Sequence, residues 1–525
     1  MKNRVLFLLA LLTFSVSLSG CSLFDNDQIE VDPPYIEVIQ KMKINLQSKT
    51  EKSLNPELLN STETNPAFTY KSSNTKVATV SSKGVVKGLK VGTAKITVTL
   101  KSNAKVSETV TVNVVDEARE TYKYTLMYYM AGSTLEYDSE NETESKRRVG
   151  LISKDIEEIL SVNDLPSNVK IIIQTGGAEK WCLPSTKLEG ATQISPNKLQ
   201  RWEVNSVTKK LKLVETLSSN KLASDLALTD FLNWALEDYE SEQMGLVFSG
   251  HGGGLAGCAY DDNYVDEYGY VNTLNTAEMG KSFKNALNNS NKDKFTWIGY
   301  DCCLMQCADI ASVNADYFDY MIASQDLENG TGWDHDKYLA SIKDAPEIEP
   351  TVLLPQIVDT FIAENHPSYE DNYRVNCYQT LSVLELSKMS TFINKFDEFC
   401  TALGSNKSSY EKAKTAFKNS FNSFGNGIFG LCDFNSLMSS FGSTFVAEAN
   451  NVINAVNDMV IYKRNCDRFT VTPCGLNAFF PELAVTKGKD ILQVFEGDYT
   501  DTATSEASKL DKWQSLCLNY GSFSL

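Results

Sequence analysis

Gly245-Leu246-Val247-Phe248-Ser249-Gly250-His251-Gly252-Gly253-Gly254 is a short apolar run that ends on a histidine set among glycines. A second run, Phe295-Thr296-Trp297-Ile298-Gly299-Tyr300-Asp301-Cys302-Cys303-Leu304-Met305, ends on paired cysteines. An amphipathic helical pattern over residues 223–239 precedes the first run, and a helix is expected from Leu304 after the second. Upstream, residues 124–130 and 170–174 are further apolar runs, separated by helical spacing over 155–160, and residues 320–323 form another downstream. Short apolar strands alternating with helices predict an α/β fold with a largely parallel sheet.

In such a sheet, chemistry is placed at the carboxyl ends of the strands. His251 and Cys303 follow two consecutive strands, so a base and a thiol are expected at one sheet edge. Flanking glycines let backbone and substrate approach closely. A histidine beside a thiol can deprotonate it and later protonate a leaving amine. A thiol at the start of a helix also has its thiolate favoured by the helix dipole. Cys302 is a rival nucleophile, and a buried structural cysteine is the plain alternative. A zinc site built from His251, Cys302, Cys303 and Cys307 matches no common structural spacing.

Residues 34–116 read differently. Ala94, Ile96, Val98 and Leu100 alternate with polar residues, as do Val110, Val112 and Val114, with Lys83-Gly84 and Val91-Gly92 as turns. This segment resembles a bacterial Ig-like domain of the second group through Ser72-Ser73-Asn74-Thr75-Lys76-Val77-Ala78-Thr79-Val80, Gly84-Val85-Val86-Lys87-Gly88-Leu89 and Gly92-Thr93-Ala94. A spacer is the expected role. Residues 350–525 add helices over 354–364, 410–424 and 444–460.

The amino terminus is a targeting segment rather than a fold element: Lys2 and Arg4, an apolar run over 5–14, then small residues. It ends Leu18-Ser19-Gly20-Cys21, which resembles the bacterial lipoprotein processing box and implies cleavage before Cys21 and acylation of its sulfur. The expected organisation is signal peptide 1–20, tether 21–33, Ig-like domain 34–116, catalytic domain 117–485 and its extension 486–525. Such a chain would be exported and held at the bacterial cell envelope by its lipid. The formal charge of −18 disfavours nucleic acid as a partner and keeps the surface soluble. Twelve cysteines in 525 residues are too sparse for a disulfide scaffold.

The block Trp297 to Met305 resembles the clostripain family's apolar strand followed by Asp-Ala-Cys-Leu-Met. The segment from Phe231 through His251-Gly252-Gly253-Gly254 resembles that family's helix, strand and His-Gly-Gly-Gly. Tyr129-Met130-Ala131-Gly132-Ser133, Ala323-Ser324-Gln325-Asp326-Leu327-Glu328 with Gly332-Trp333, and Gly475-Leu476-Asn477-Ala478-Phe479-Phe480-Pro481 match other family motifs in the right order. An Asp common in the first of these is Ser133 here. The resemblance implies a caspase-like α/β/α sandwich, preceded by the small all-β sandwich, and a cysteine endopeptidase that acts on peptides with Arg or Lys at P1. Carried over, Cys303 is the nucleophile, His251 the acid/base, and the amides of Gly252 and Cys303 the oxyanion donors. Asp301 falls at the floor of the P1 pocket, with Asp326 or Glu328 as the second acid. No cofactor is required; some relatives need calcium, which the acidic loop Asp261, Asp262, Asp266, Glu267 could bind, but its spacing fits no recognised calcium loop and a solvated acidic surface is the expected reading. Some relatives cut themselves after the catalytic histidine. Residues 252–280 contain neither Lys nor Arg, so Lys281 is the first position at which this chain could do so. The alternative function is an inactive surface adhesin that keeps a peptidase-like domain.

Overall fold

The computed structural model describes residues 33–137, 150–265, 271–363, 379–422, 424, 430–466, 469, 471–480 and 508–520. Cys21, the signal segment and the tether through residue 32 lie outside them, as do Asp266, Glu267 and His366. Among the described residues no helix is long and apolar enough to cross a membrane.

The large domain is built on one ten-stranded sheet. Its strands, in chain order, are β1 (Tyr122–Ala131), β2 (Val169–Gly176), β3 (Leu188–Glu189), β4 (Gln200–Asn205), β5 (Lys210–Thr216), β6 (Ser241–Ser249), β7 (Phe295–Asp301), β8 (Phe318–Ala323), β9 (Thr380–Glu385) and β10 (Val460–Asn465). Across the sheet the order is β3-β5-β4-β2-β1-β6-β7-β8-β9-β10. The central block β2-β1-β6-β7-β8 is parallel throughout, whereas β4 and β9 join its two sides antiparallel.

Burial on both faces explains the unbroken apolar runs of the central strands. In β1, Tyr124, Leu126, Tyr128 and Met130 enter one core and Met127, Tyr129 and Ala131 the other. The helices, again in chain order, are the single turn α1 (Ser133–Glu136), α2 (Leu151–Ser161), α3 (Asp225–Asp238), α4 (Thr276–Asn288), α5 (Ala308–Asn314), α6 (His335–Asp344) and α7 (Pro350–Ile362). Helices α2, α6 and α7 cover the first face through Ile156, Tyr338 and Leu354. On the second face lie α3, α4 and α5 with the later helices Met389–Leu403 and Lys407–Asn419. The expected α/β/α sandwich is present. The helix expected over 410–424 starts earlier, because Asn406 caps it by accepting from the Ser409 N–H, and ends at Asn419.

The Ig-like segment is a separate sandwich of a four-stranded and a three-stranded sheet. The alternating residues Ala94, Ile96, Val98, Val110, Val112 and Val114 all face its core. It is not held away from the large domain as a spacer would be. Lys52 reaches Glu237 of α3 at 2.5 Å, with the two side chains only 5% and 7% exposed. Lys43 pairs with Asp238 at 2.8 Å and Lys41 with Glu215 at 2.6 Å. The Ser53 amide donates to Asn289 Oδ1 at 2.8 Å, and Leu226 packs against the Ig core. Acidic residues that read as a solvated surface are thus partly spent on lysines of the neighbouring domain.

Candidate active site

The register of β6 against β7 pairs Ser249 with Asp301. His251 and Cys303 each lie two residues beyond that pair, so the parallel ladder alone brings them to one carboxyl edge. Gly250 turns the chain off β6 at φ +147, where a Cβ would sit 2.8 Å from the Ala131 carbonyl oxygen. Gly252 lies against the Cys303 backbone. A Cβ there would meet the Cys303 carbonyl oxygen at 2.4 Å and Cys302 Cβ at 2.9 Å. The glycines flanking His251 therefore permit a close backbone approach, as the sequence suggested.

The two cysteines are clearly different. Cys302 is buried, its thiol donates to the Phe248 carbonyl at 3.4 Å, and burial pushes its pKa well above the ordinary thiol range. Cys303 is half-buried, and its sulfur accepts the Glu328 N–H at 3.2 Å. The helix expected from Leu304 begins only at Ala308, since Leu304 takes φ +69 and donates its N–H to the Asp326 carbonyl. A helix dipole thus does not act directly at Cys303. The Glu328 amide is the nearer dipole, and a hydrogen bond donated to sulfur favours the thiolate.

Beside the cysteine lies a buried acidic cluster. Asp301 Oδ2 is 3.2 Å from His335 Nε2 and accepts the Trp333 N–H at 3.3 Å. His335 Nδ1 is 2.7 Å from the Tyr338 hydroxyl, which contacts the Tyr128 hydroxyl at 2.5 Å. Asp155, from α2, is buried next to Asp301. Burial first, and then the Asp301 charge, raise its pKa well above the carboxylate range. The same two causes raise Glu328, whose carboxylate lies beside Asp301 and the Trp333 indole, although neither of its oxygens is in hydrogen-bond geometry with a group among the described residues. Asp326 is oriented otherwise: its Oδ1 accepts the Leu327 N–H at 2.8 Å within its own turn. Of the three acids read from the sequence, the fold brings Asp301 and Glu328 together, and the buried Asp326 carboxylate accepts the N–H of the next residue. His335 and Asp155 carried no motif signal.

The strand Cys258–Val265 after His251 folds back over the site. Asp261 is fully buried and its carboxylate accepts the Leu222 N–H at 2.6 Å, while Asp262 accepts from the Ser133 hydroxyl at 2.6 Å. These two acids of the loop, read from the sequence as a solvated surface with calcium as the alternative, hold protein groups. Among the described residues, Asp155, Asp301 and His335 are the one set of three or more His, Cys, Asp or Glu with ligand atoms within 4.8 Å of one another. The His251, Cys302, Cys303 and Cys307 set is not gathered in that way. Lys281 lies inside α4 and pairs with Asp225 and with Glu57 of the Ig-like domain.

A thiol and an imidazole at adjacent carboxyl ends of an α/β/α sandwich define a caspase-like cysteine peptidase. The sequence profile of the clostripain family matches residues 146–515, and the chain belongs to that family; it is a cysteine endopeptidase. The group 2 bacterial Ig-like profile matches residues 35–111. Clostripain from Hathewaya histolytica is 22% identical over 412 residues, spanning 68% of this chain and 74% of that protein. Among solved structures, a secreted C11 cysteine protease from Bacteroides thetaiotaomicron, "iotapain", aligns at TM-score 0.52 with 15% identity, covering 74% of this chain and 100% of that one. An inactive zymogen C11 protease from Parabacteroides distasonis aligns at 0.48 with 16% identity, over 75% and 99%.

Proposed function

We propose that this endopeptidase cuts after Arg or Lys, with Cys303 as nucleophile and His251 as its acid/base partner. His251 takes the thiol proton as sulfur attacks the scissile carbonyl, then gives it to the leaving amine; water hydrolyses the thioester. The amides of Gly252 and Cys303 hold the oxyanion. The observation that supports the basic preference is Glu328, whose buried carboxylate lies beside Asp301 and the Trp333 indole with neither oxygen in hydrogen-bond geometry among the described residues, and whose own N–H reaches the Cys303 sulfur. A guanidinium or ammonium at P1 would supply the missing partner to Glu328. Neutral side chains would leave it unpaired.

This chemistry calls for no cofactor, and assays with and without chelator measure any contribution from calcium. Peptides ending in Arg or Lys before a fluorogenic leaving group should be turned over, and peptides ending in a neutral residue should not. Equal turnover by Cys303→Ala would overturn the assignment of the nucleophile, and a neutral preference would overturn the pocket. Export and anchoring through an acylated Cys21 place the enzyme at the cell envelope in this reading. Detergent-phase partitioning that survives Cys21→Ser would refute the anchor.

A further inference from the structure

His251 Nε2 lies 2.8 Å from the hydroxyl of Thr134, in the turn α1 that follows β1. The imidazole also meets the ring of Tyr260 edge-on, at 5.7 Å between centroids and 69° between planes. Thr134 is itself held from several sides. Its neighbour Ser133 takes φ +42, a conformation that non-glycine residues seldom adopt and that needs outside support. The support consists of the Ser133 N–H donated to the Gly177 carbonyl at 3.0 Å and the Ser133 hydroxyl donated to Asp262 at 2.6 Å. The Gly132 N–H is likewise donated to the Gly176 carbonyl at 3.0 Å. Asp262 is fixed in turn by its own N–H to the Gly177 carbonyl at 3.2 Å. Asp262 and Tyr260 belong to the same fold-back strand, so one segment presses on the imidazole ring and anchors the turn that carries its hydrogen-bond partner.

We propose that Thr134 is a positioning residue for the reaction, holding His251 in the tautomer and orientation that the thiol requires, with Asp262 and Ser133 as its anchor. This inference rests on the reading of His251 and Cys303 as the reacting pair. Nε2–H donates to Thr134 Oγ1, which keeps the lone pair on the other ring nitrogen, Nδ1, available to take the Cys303 proton. After transfer both ring nitrogens carry hydrogen, and the hydroxyl oxygen still accepts from Nε2. The contact therefore serves the neutral and the charged imidazole, and favours the charged one. No motif in the sequence pointed to Thr134; it reaches the site because β1 lies beside β6 in the sheet.

Two readouts test this. One is kcat/KM on an Arg-terminated fluorogenic peptide. The other is the pH dependence of Cys303 alkylation by iodoacetamide, a reaction that needs the thiolate but no bound substrate. Thr134→Ala should lower kcat/KM by about 10–100-fold, chiefly in kcat, since a misoriented base costs on that order. It should also move the acid limb of the alkylation profile to higher pH, because the thiolate–imidazolium pair loses a stabilising acceptor. Thr134→Ser should restore most of both, and Asp262→Asn should give an intermediate loss. A Thr134→Ala enzyme with wild-type kcat/KM, or one whose loss comes with an unmoved alkylation profile and no rescue by Ser, would overturn the positioning role. His251→Ala serves as the control. If it turned over substrate like wild type, the reacting pair itself would be wrong and this inference would fall with it; a dead His251→Ala beside a fully active Thr134→Ala would overturn the inference alone.

Discussion

Glu328 and Asp301 meet beside Cys303 with His335 against one of them and, among the described residues, no hydrogen-bond partner for the other. Burying a carboxylate in that way favours its protonated form, and the Asp301 charge acts in the same direction. A cationic P1 side chain needs the ionised form. Affinity for Arg substrates should therefore rise with pH as Glu328 loses its proton. Glu328→Gln should raise KM for such substrates by about 10–100-fold, the scale of one charge-assisted hydrogen bond, and flatten this pH dependence. KM measured between pH 5 and 8 for both enzymes checks it; an unchanged KM would remove Glu328 from the pocket. At this scale the sequence showed the acids by motif but not which of them lies against Asp301. Asp326 and Glu328 are two residues apart, and only the loop path sets the Glu328 carboxylate beside Asp301.

Helix α4 starts with a capping box. Asn275 Oδ1 accepts the Glu278 N–H at 2.9 Å, and Glu278 accepts the Asn275 N–H at 3.0 Å. The pattern Asn-x-x-Glu was present in the sequence, but its burial was not. Here desolvation pushes the Glu278 pKa up to about 7 from its ordinary 4.5. A raised acid binds more protons folded than unfolded between those two values. Below pH 4.5 both states are protonated and the group is neutral to stability. As pH rises from about 4.5 through 7, the folded state loses stability relative to the unfolded one. Glu278→Gln keeps the cap while removing the titration. It should flatten the fall in stability over that window by about 1–2 kcal/mol, once solvent screening is allowed for. Urea denaturation at pH 5 and pH 8 measures the difference, and identical slopes would refute it.

The two domains are joined by more than chain connectivity. Lys52 also donates to the Lys43 carbonyl at 2.9 Å, so its ammonium is held from both domains in a nearly dry place. Removing one partner of such a pair leaves the other charge buried and uncompensated, which costs about 3–5 kcal/mol. Lys52→Met should lower the melting temperature and split one cooperative transition into two, with the peptidase domain melting first. Lys52→Met combined with Glu237→Leu should recover much of the loss. Two independent transitions already present in the wild type would show that the domains do not stabilise each other. No sequence pattern announced this interface. Its residues are single lysines spread along β-strands, two acids at the end of α3 and one on β5, each unremarkable alone.

The sequence by itself determined the strand and helix alternation, the Ig-like sandwich and the strand-end positions of His251 and Cys303, because those depend on local periodicity and on short motifs. Tertiary structure alone decided what surrounds them. Thr134 comes from the turn α1 after β1, Tyr260 and Asp262 from the fold-back strand, His335 and Asp155 from helices on the opposite face of the sheet from α3. Their convergence depends on strand order and on chain paths that bring distant segments together, and no local pattern encodes either. For the same reason the acidic loop after His251, legible only as charge, became structure once Asp261 and Asp262 found backbone and hydroxyl donors across the fold.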